Sequence, residues 1–498
     1  MKKAIVIGAG FSGLSAAAYL AKNGWAVSVF EKHALPGGRA RKFESNGFTF
    51  DMGPSWYWMP EVFEAFFNHF GKKTSDYYHL SRLDPSYKVY FKEAQYNIPA
   101  NYLQLQQLFE SIETGAAANL DLFLKEAEYK YFTGIHKLVH KPGLSFLELA
   151  DMQVIKGVLK LDVFTNIKKH IAKHFKHPYL RSLLEFPVLF LGALPRNTPA
   201  LYSLMNYADI KLGTWYPRGG MYQVVDAMYK LATELGVQFF FNTEAKKINP
   251  LEHNSTLEVT ATRQEKVQRI NAHAIIASAD YHHVDSELLT DQYRNYNPKY
   301  WDRKTLAPSC LLYFIGINKK LKNMAHHSLF FDTDFEKHGK EIYQYKSWPE
   351  DPLFYVSIPS VNDPAVAPQG CENMLFLVPV AAGLTGDSEA LRNRYFDKLC
   401  SRFEQVTGNS IKNDICFYRT YSIADFTTDY HALKGNAYGL ANTLRQTAIL
   451  KPSIKSKKMK NLYFAGQLTV PGPGVPPCII SGEVVAKQVI KDFGETWK

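Results

Sequence analysis

The first thirty residues constrain the fold of this chain more than any other stretch. The segment KAIVIGAGFSGLSAAAYLAKNGWAVSVFEK contains a short apolar strand at 4–7, a helix rich in small residues at 14–23 and a second strand at 26–30. Gly8, Gly10 and Gly13 form a G-x-G-x-x-G turn between the first strand and the helix. This order predicts a complete βαβ unit of the dinucleotide-binding type.

Each glycine of the turn has a physical reason. Gly8 permits the tight turn, Gly10 lets the backbone approach a pyrophosphate at the helix N-terminus, and Gly13 lets helix and strand pack closely. Glu31 closes the second strand, where its carboxylate can accept hydrogen bonds from a ribose 2′-hydroxyl and disfavours a 2′-phosphate. The alternative is a glycine-rich turn without a nucleotide, which is weaker because strand, helix, strand and acid all occur in register.

Two motifs downstream identify the kind of dinucleotide. The stretches PGGRA at 36–40 and GFTFDMGP at 47–54 follow Glu31 closely, and the combination resembles the flavin-dependent amine oxidase and desaturase superfamily. The resemblance implies FAD as cofactor, with Arg39 near its pyrophosphate; the other reading of Arg39 is a solvated loop charge. The cofactor-binding residues predicted in this part of the chain are Gly8, Ala9, Gly10, Phe11, Ser12, Gly13, Glu31, Lys32, Gly38, Arg39, Gly53 and Pro54.

The C-terminal segment KNLYFAGQLTVPGPGVPPCIISGEVVAKQVI reads as a strand at 462–465, a Gly/Pro-rich turn and a helix at 479–490. A turn that leads into a helix N-terminus favours a phosphate or a flavin dipole. The version here resembles the carotenoid desaturases through Gly466, Thr469, Pro471, Gly472, Gly474 and Pro476. We predict FAD contacts from Gly466, Thr469, Val475 and Pro476. Gln467 stands where amine oxidases usually carry an acid, which leaves one FAD contact open.

A middle segment completes the predicted cofactor domain. Residues 213–248 read as a turn, an amphipathic helix with Val224, Met228 and Leu231 on its apolar face, a strand, and a loop at 243–245. In the superfamily this loop passes the adenine, which implies a backbone contact at Ala245. We therefore predict an α/β architecture with a discontinuous, Rossmann-like FAD-binding domain (1–75, 205–290, 435–498) and a mixed-sheet and helical substrate domain (76–204, 291–434).

The resemblance to bacterial and fungal phytoene desaturases extends over nearly the whole chain, including SCLLYFIGINKKL at 309–321, HHSLFF at 326–331 and YVSIPSVNDPAVAPQG at 355–370. It implies an FAD-dependent oxidoreductase that acts on CH–CH bonds and converts phytoene toward lycopene or an intermediate. Flavin supplies the redox chemistry, so no catalytic side chain is predicted, and a quinone or oxygen would reoxidise it. The alternatives are a late desaturase, isomerase or saturase of carotenoids, or a non-enzymatic isoprenoid-binding protein of the same fold.

Aromatic residues crowd the stretch FTFDMGPSWYWMP at 48–60. A polyene offers no charge or polar handle, so its site must gain affinity from apolar area at about 25 cal/mol per Å². We predict that Trp56 and Trp58 contact the substrate. The alternative is that they fill the core between the two domains, since buried aromatic residues are common.

Charge and hydropathy suggest where the protein works. The chain carries 58 basic and 47 acidic residues, and residues 154–195 alternate basic and apolar side chains, with Ile167, Ile171 and Phe175 spaced four apart and Pro187 and Pro195 as breaks. We predict a membrane-facing helical part at about 150–200; the alternative is a helical cap over a buried core. Without a signal peptide or a long apolar run, we expect a cytoplasmic protein, peripheral on the inner face of the cell membrane.

Other partner classes find little support in the sequence. No nucleic-acid-binding motif accompanies the basic charge. The five cysteines are scattered, which predicts neither a disulfide framework nor a zinc site. We read the sixteen histidines, including the pairs His282/His283 and His326/His327, as structural or surface residues and predict no metal site.

Overall fold

The computed structural model describes residues 1–145, 148, 165–189, 192–251, 257–263 and 265–498. Strands in these ranges are, in chain order, β1 Lys3–Ile7, β2 Ala26–Phe30, β3 Lys42–Ser45, β4 Phe48–Asp51, β5 Leu80–Arg82, β6 Tyr87–Phe91, β7 Gln95–Ile98, β8 Trp215–Pro217, β9 Gln238–Phe240, β10 Thr243–Pro250, β11 Leu257–Arg263, β12 Lys266–Ala272, β13 Ala274–Ala277, β14 Ser309–Ile317, β15 His327–Phe331, β16 Phe354–Ser357, β17 Glu372–Val380, β18 Ile415–Tyr421 and β19 Leu462–Phe464.

The longer helices of the same ranges are α1 Phe11–Lys22, α2 Pro60–His69, α3 Tyr102–Ile112, α4 Ala116–Thr133, α5 Ile167–His174, α6 Pro178–Leu189, α7 Tyr222–Glu234, α8 Phe335–Lys340, α9 Glu389–Thr407, α10 Ile423–Tyr430 and α11 Val475–Asp492. Short α-helical turns lie at Leu204–Tyr207, Tyr281–His283 and Pro298–Asp302. Within these ranges no helix is both long enough and apolar enough to cross a membrane.

A parallel five-stranded sheet with the order β19-β13-β1-β2-β9 forms the first layer. Its strands come from the N-terminal, middle and C-terminal segments that the motifs predict, although the domain boundaries themselves stay a prediction. Helices α1 and α11 pack against each other over Gly482, where a Cβ would lie 2.5 Å from the carbonyl oxygen of Ser12. The N-terminal and C-terminal segments therefore pack together, and Gly482 allows the close approach of the two helices.

A second, seven-stranded sheet has the order β18-β14-β17-β16-β15-β6-β7. Its pairings are antiparallel except for the parallel pair β15–β6. Strands β14 and β17 are buried along nearly their whole length, which explains why both read as apolar runs rather than as alternating patterns. Three smaller antiparallel sheets, β10-β11-β12, β3-β4 and β5-β8, complete the strands.

Three local expectations need correction. Residues 243–245, predicted as a loop, begin strand β10, because they pair with β11 before a bulge. Pro187, predicted to break the apolar stretch, lies inside helix α6, near its end. In α5 and just beyond it, Ile167, Ile171 and Phe175 are fully buried, so this apolar face packs into the core. The helical-cap alternative is confirmed for α5, while residues 150–164, 190 and 191 of the predicted membrane-facing part lie outside the described residues.

Candidate functional site

The glycine-rich turn after β1 has the geometry that a phosphate cradle needs. Gly8 adopts φ +99°, which an L side chain rarely tolerates. At Gly13 a Cβ would lie 2.0 Å from the carbonyl oxygen of Gly8, so α1 could not approach the strand with any other residue there. At Gly10 a Cβ would meet nothing within 4 Å, which leaves open space beside the start of α1. Gly38 lies on one side of this open space, since a Cβ added there would be 3.4 Å from the Cα of Gly10.

The carboxylate of Glu31 holds this turn in place. Its Oε2 accepts a hydrogen bond from the backbone N–H of Ala9 at 2.8 Å, and its Oε1 accepts one from His33 at 2.9 Å. Burial raises the pKa of Glu31, and the two N–H donors oppose that rise. Each oxygen keeps a further lone pair for a ribose hydroxyl. The ammonium of Lys32 donates to the carbonyl oxygen of Thr428 at 3.0 Å.

The first turn of α1 meets the middle and C-terminal segments through small residues. The hydroxyls of Ser12 and Ser278 lie 2.7 Å apart, and a Cβ at Gly466 would lie 3.3 Å from the Ser12 oxygen. The N–H of Gly466 donates to the hydroxyl of Ser481 at 3.0 Å. Phe11 is buried at the start of α1. The N-terminal and C-terminal motifs therefore form one site.

Arg39 stands at the centre of this site. Its guanidinium donates to the carbonyl oxygen of Asn436 at 3.3 Å and lies 3.9 Å from the buried carboxyl of Asp280. Burial raises the pKa of Asp280, and the Arg39 charge opposes the rise. The amide oxygen of Gln467, in the orientation that its neighbours favour, accepts from Arg39 at 3.2 Å. Gly53 is required by packing, since its Cβ would lie 2.0 Å from the Arg39 carbonyl oxygen.

A buried, unused donor provides a test of whether this site suits FAD. The Nε atom of Arg39 is buried and has no hydrogen-bond partner within the described part of the chain. An unsatisfied, buried guanidinium donor, on the residue that follows Gly38 beside Gly10, fits an anionic group such as a pyrophosphate. The residues present therefore fit the cofactor, with Gly8, Gly10, Glu31 and Arg39 as the groups that would hold it.

The remaining predicted cofactor residues are less distinctive. Thr469 is buried and donates its hydroxyl to the carbonyl oxygen of Pro452 at 2.5 Å, so that donor serves the turn. Val475 and Pro476 form the first residues of α11, and both are half-buried. Pro54 is half-buried after β4. These contacts with FAD stay predictions.

Ala245 is buried in β10, immediately before the bulge that separates it from Lys247 in the pairing with β11. The carboxylate of Glu244, its neighbour, accepts from His431 at 2.9 Å, and His431 stacks on His283 with ring centroids 3.9 Å apart. Burial lowers the pKa of His283 to about 4. The segment after α10 thus covers the edge where the adenine contact was predicted.

The two predicted substrate tryptophans differ in their surroundings. Trp56 stacks on His327 with ring centroids 4.2 Å apart and lies 5.7 Å from the ring of Tyr355. Trp58 donates its indole N–H to the hydroxyl of Thr214 at 2.8 Å, which fixes the ring in the core. Burial lowers the pKa of His327 well below its usual value, so this wall is uncharged at neutral pH.

An apolar cavity of about 50 Å³ opens beside these rings. Phe186 and Tyr355, which line it, also contact Trp56. The cavity is lined by aromatic and aliphatic side chains together with one histidine: Phe186, Pro308, Leu329, Phe331, Phe335, His338, Gly339, Ile342, Tyr343, Leu353, Phe354, Tyr355, Leu377, Pro379 and Tyr438.

The histidine in this cavity is neutral. His338 Nδ1 accepts from the N–H of Leu353 at 3.0 Å, which leaves Nε2 protonated to donate to the carbonyl oxygen of Pro379 at 3.0 Å. Burial lowers the pKa of His338 to about 4. The cavity therefore presents no charge from this side chain at neutral pH.

Sequence reasoning missed the residues that connect the two parts of the site. Asn436 binds Arg39, Tyr438 lines the apolar cavity, and a Cβ at Gly439 would lie 2.9 Å from the carbonyl oxygen of Gln467. The stretch NAYG at 436–439 follows Lys434 and Gly435, and its composition does not reveal a long-range contact. His327, predicted to be a structural or surface histidine, is buried and stacks on Trp56, whose contact with substrate stays a prediction.

Comparison with known proteins gives the family. The model of the family described as flavin containing amine oxidoreductase matches residues 11–490. A carotenoid 3,4-desaturase of Haloarcula japonica is 39% identical over 98% of this chain and 98% of its own length. A zeta-carotene-forming phytoene desaturase of Myxococcus xanthus is 28% identical over 98% of this chain and 94% of its own.

A solved structure supports the same fold. A putrescine oxidase variant redesigned for cofactor binding superposes with a TM-score of 0.63 at 12% identity, covering 99% of each chain. The discontinuous Rossmann-like architecture and the FAD cofactor predicted from the motifs are confirmed. The chain belongs to the flavin-containing amine oxidoreductase family and, within it, to the carotenoid desaturases, FAD-dependent oxidoreductases that act on CH–CH bonds.

Proposed function

We propose that this chain introduces C=C bonds into a long carotenoid that lies along the Trp56–His327 wall and the apolar cavity. The observation that carries the proposal is the segment at 436–439, which joins the Arg39 site to that cavity. When bound, FAD supplies the acceptor for a hydride equivalent from the substrate. The protein's own part is to bind the polyene, orient it and exclude water.

The lining suits an uncharged ligand. Phe186, Phe331 and Leu377 offer apolar contact, and the only titratable groups among the described lining residues are tyrosines and the neutral His338. Burial raises the pKa of Tyr355, so its phenol is uncharged as well. The part of a polyene that contacts this lining gains free energy from buried apolar area, at about 25 cal/mol per Å².

Two substrates are candidates. Desaturation of phytoene is the prediction from the motifs, and it is supported by the 28% identity to a phytoene desaturase. Desaturation of a carotenoid at its 3,4 position is supported by the higher identity, 39%, to a 3,4-desaturase. On this ground we favour the 3,4 reaction and retain phytoene as the second candidate.

A basic vestibule supports access from a membrane surface. This cavity of about 1090 Å³ is lined by Arg196, Lys299, Arg303, Lys304 and Arg445, and no acidic residue of the described ranges lines it. Tyr343 lines both the vestibule and the apolar cavity. We propose that anionic lipid headgroups occupy the vestibule, that the protein works at the inner face of the cell membrane, and that a quinone or oxygen reoxidises the flavin.

The test is expression in two strains. One strain accumulates phytoene, and the other accumulates a later, conjugated carotenoid whose 3,4 bonds are still single. Carotenoids are extracted and separated by chromatography. New products of longer conjugation only in the second strain support the 3,4 reaction, and products in the first strain support phytoene desaturation. Unchanged carotenoids in both strains, with the protein folded and flavin-loaded, would refute the proposed function.

A further inference from the structure

Two histidines and a carboxylate converge outside the flavin site. His170 and His174 lie one turn apart on α5, and Glu126 lies on the neighbouring helix α4. One ligand atom from each of the three residues lies within 4.8 Å of the other two. The prediction of no metal site overlooked this pattern, because HIAKH at 170–174 has the i, i+4 spacing that puts both imidazoles on one face.

The distances are close to those of a coordinated ion. Metal–ligand bonds of about 2.0–2.1 Å in a tetrahedral arrangement put ligand atoms about 3.3 Å apart. The Nε2 atom of His170 and the Oε2 atom of Glu126 are already 3.5 Å apart. The ligand atom of His174 lies within 4.8 Å of the other two, so it is about 1.5 Å or less from tetrahedral ligand spacing.

The three residues differ in burial, as a binding site with a path from solvent requires. His170 is 2% exposed, which holds one ligand in a fixed position, whereas the side chain of Glu126 is 48% exposed and leaves a path from solvent. The ring of Phe123 packs against both histidines, at 5.5 and 5.7 Å, and limits their rotamers. Three protein ligands leave room for water in the remaining positions.

We propose that Glu126, His170 and His174 bind a divalent transition-metal ion, which would clamp α4 to α5. Imidazole and carboxylate ligands suit Zn²⁺, Ni²⁺, Co²⁺ and Cu²⁺ rather than Mg²⁺ or Ca²⁺. The ammonium of Lys130 lies 3.4 Å from His170 Nε2 and competes with the ion for that nitrogen. The site is separate from the flavin chemistry proposed above.

The experiment uses the full-length protein, stripped with a chelator and titrated with Zn²⁺ by calorimetry and with Co²⁺ by visible absorption. We expect one ion per chain and a rise in Tm of several degrees at saturating Zn²⁺. His174→Ala and Glu126→Gln, both at partly exposed positions, should fold and weaken binding at least about tenfold. Lys130→Met should tighten it, because the competing charge is removed.

His79→Ala is the matched control, since His79 is exposed and lies outside the cluster. It should bind Zn²⁺ as the wild type does. Absence of binding to the wild type at millimolar Zn²⁺, or equal binding by wild type, His174→Ala and Glu126→Gln, would overturn the proposal. Comparable weakening by His79→Ala would overturn it as well, because binding would then be distributed over surface histidines.

Discussion

The cofactor region around Gly13 and Gly53 and the proposed substrate region around Trp56 and Phe186 are specified in different ways. In the cofactor region the backbone leaves no choice at several positions, since a Cβ at Gly13 or Gly53 would lie 2.0 Å from a carbonyl oxygen. In the substrate region, rings such as Trp56 and Phe186 fill space that other large side chains could also fill. Positions where only glycine fits can be recognised as a motif in the sequence. Positions that need only a large apolar side chain show up only as composition.

The largest effect that this contrast predicts is at Gly13. Gly13→Val should abolish FAD binding and destabilise the fold, because its Cβ would collide with the Gly8 backbone. Gly10→Ala should instead fold normally, since nothing lies within 4 Å, yet bind FAD at least about tenfold more weakly because the methyl occupies the proposed phosphate space. Flavin absorbance of the purified proteins and their Tm values measure both effects.

Equal FAD affinity in wild type and Gly10→Ala would contradict the proposed cradle. Gly71→Ala is a suitable control for Gly10→Ala, because a Cβ at Gly71 also meets nothing within 4 Å. Its φ of +72° will cost some stability, so the comparison rests on flavin content and not on Tm.

In the proposed substrate region we expect substitutions to lower the activity while FAD stays bound. Trp56→Ala should keep its flavin and lower kcat/KM for the carotenoid at least about tenfold, because the indole area is lost from the wall. Trp56→Phe should retain most of the activity. Trp348→Ala, which removes a half-buried indole away from the cavity lining, serves as control. Loss of flavin in Trp56→Ala would contradict the proposal that FAD binding does not depend on the substrate region.

Two buried histidines of the proposed substrate region should contribute to the pH dependence of stability, alongside His283 of the cofactor region. Burial lowers the pKa of His326 to about 3 and that of His338 to about 4. Because these folded-state values lie below the unfolded value of 6.5, their contribution is fully present above pH 6.5 and is lost as the pH falls toward the folded-state values. We expect a loss of roughly 1 kcal/mol per pH unit for each histidine.

Urea denaturation between pH 7 and pH 5 measures this loss. His338→Gln should reduce the slope of the unfolding free energy against pH by the contribution of about one proton taken up on unfolding. An unchanged slope in that variant would show that His338 does not titrate as its burial requires.

The smallest effect is expected at the contact between β4 and α7. Asp51 Oδ2 accepts from the N–H of Met221 at 2.7 Å, and Oδ1 accepts from Tyr222 at 2.9 Å, so a side chain from another segment caps the helix. Asp51→Asn keeps only one acceptor and should cost about 0.5–2 kcal/mol of unfolding free energy. Chemical denaturation measures it, and a gain in stability would contradict the assigned cap.

The part of the fold that could be predicted follows from this contrast. Gly8, Gly10, Gly13 and Glu31 sit where the βαβ pattern predicts them, because local geometry dictates both sequence and structure. Asn436 could not be predicted as a partner of Arg39, since 397 positions separate them and no local pattern encodes the contact. The inward face of α5 was ambiguous for a related reason: an amphipathic pattern is the same against a membrane or a core.

A single turnover without oxygen tests the flavin-dependent desaturation of a carotenoid most directly. Flavin-loaded protein is mixed anaerobically with phytoene or with a later carotenoid in anionic vesicles, and flavin and carotenoid absorbance are recorded together. We expect loss of the oxidised-flavin spectrum with one new C=C bond per FAD, for one of the two carotenoids. Flavin that stays oxidised with both carotenoids, in a protein that binds them, would contradict this expectation.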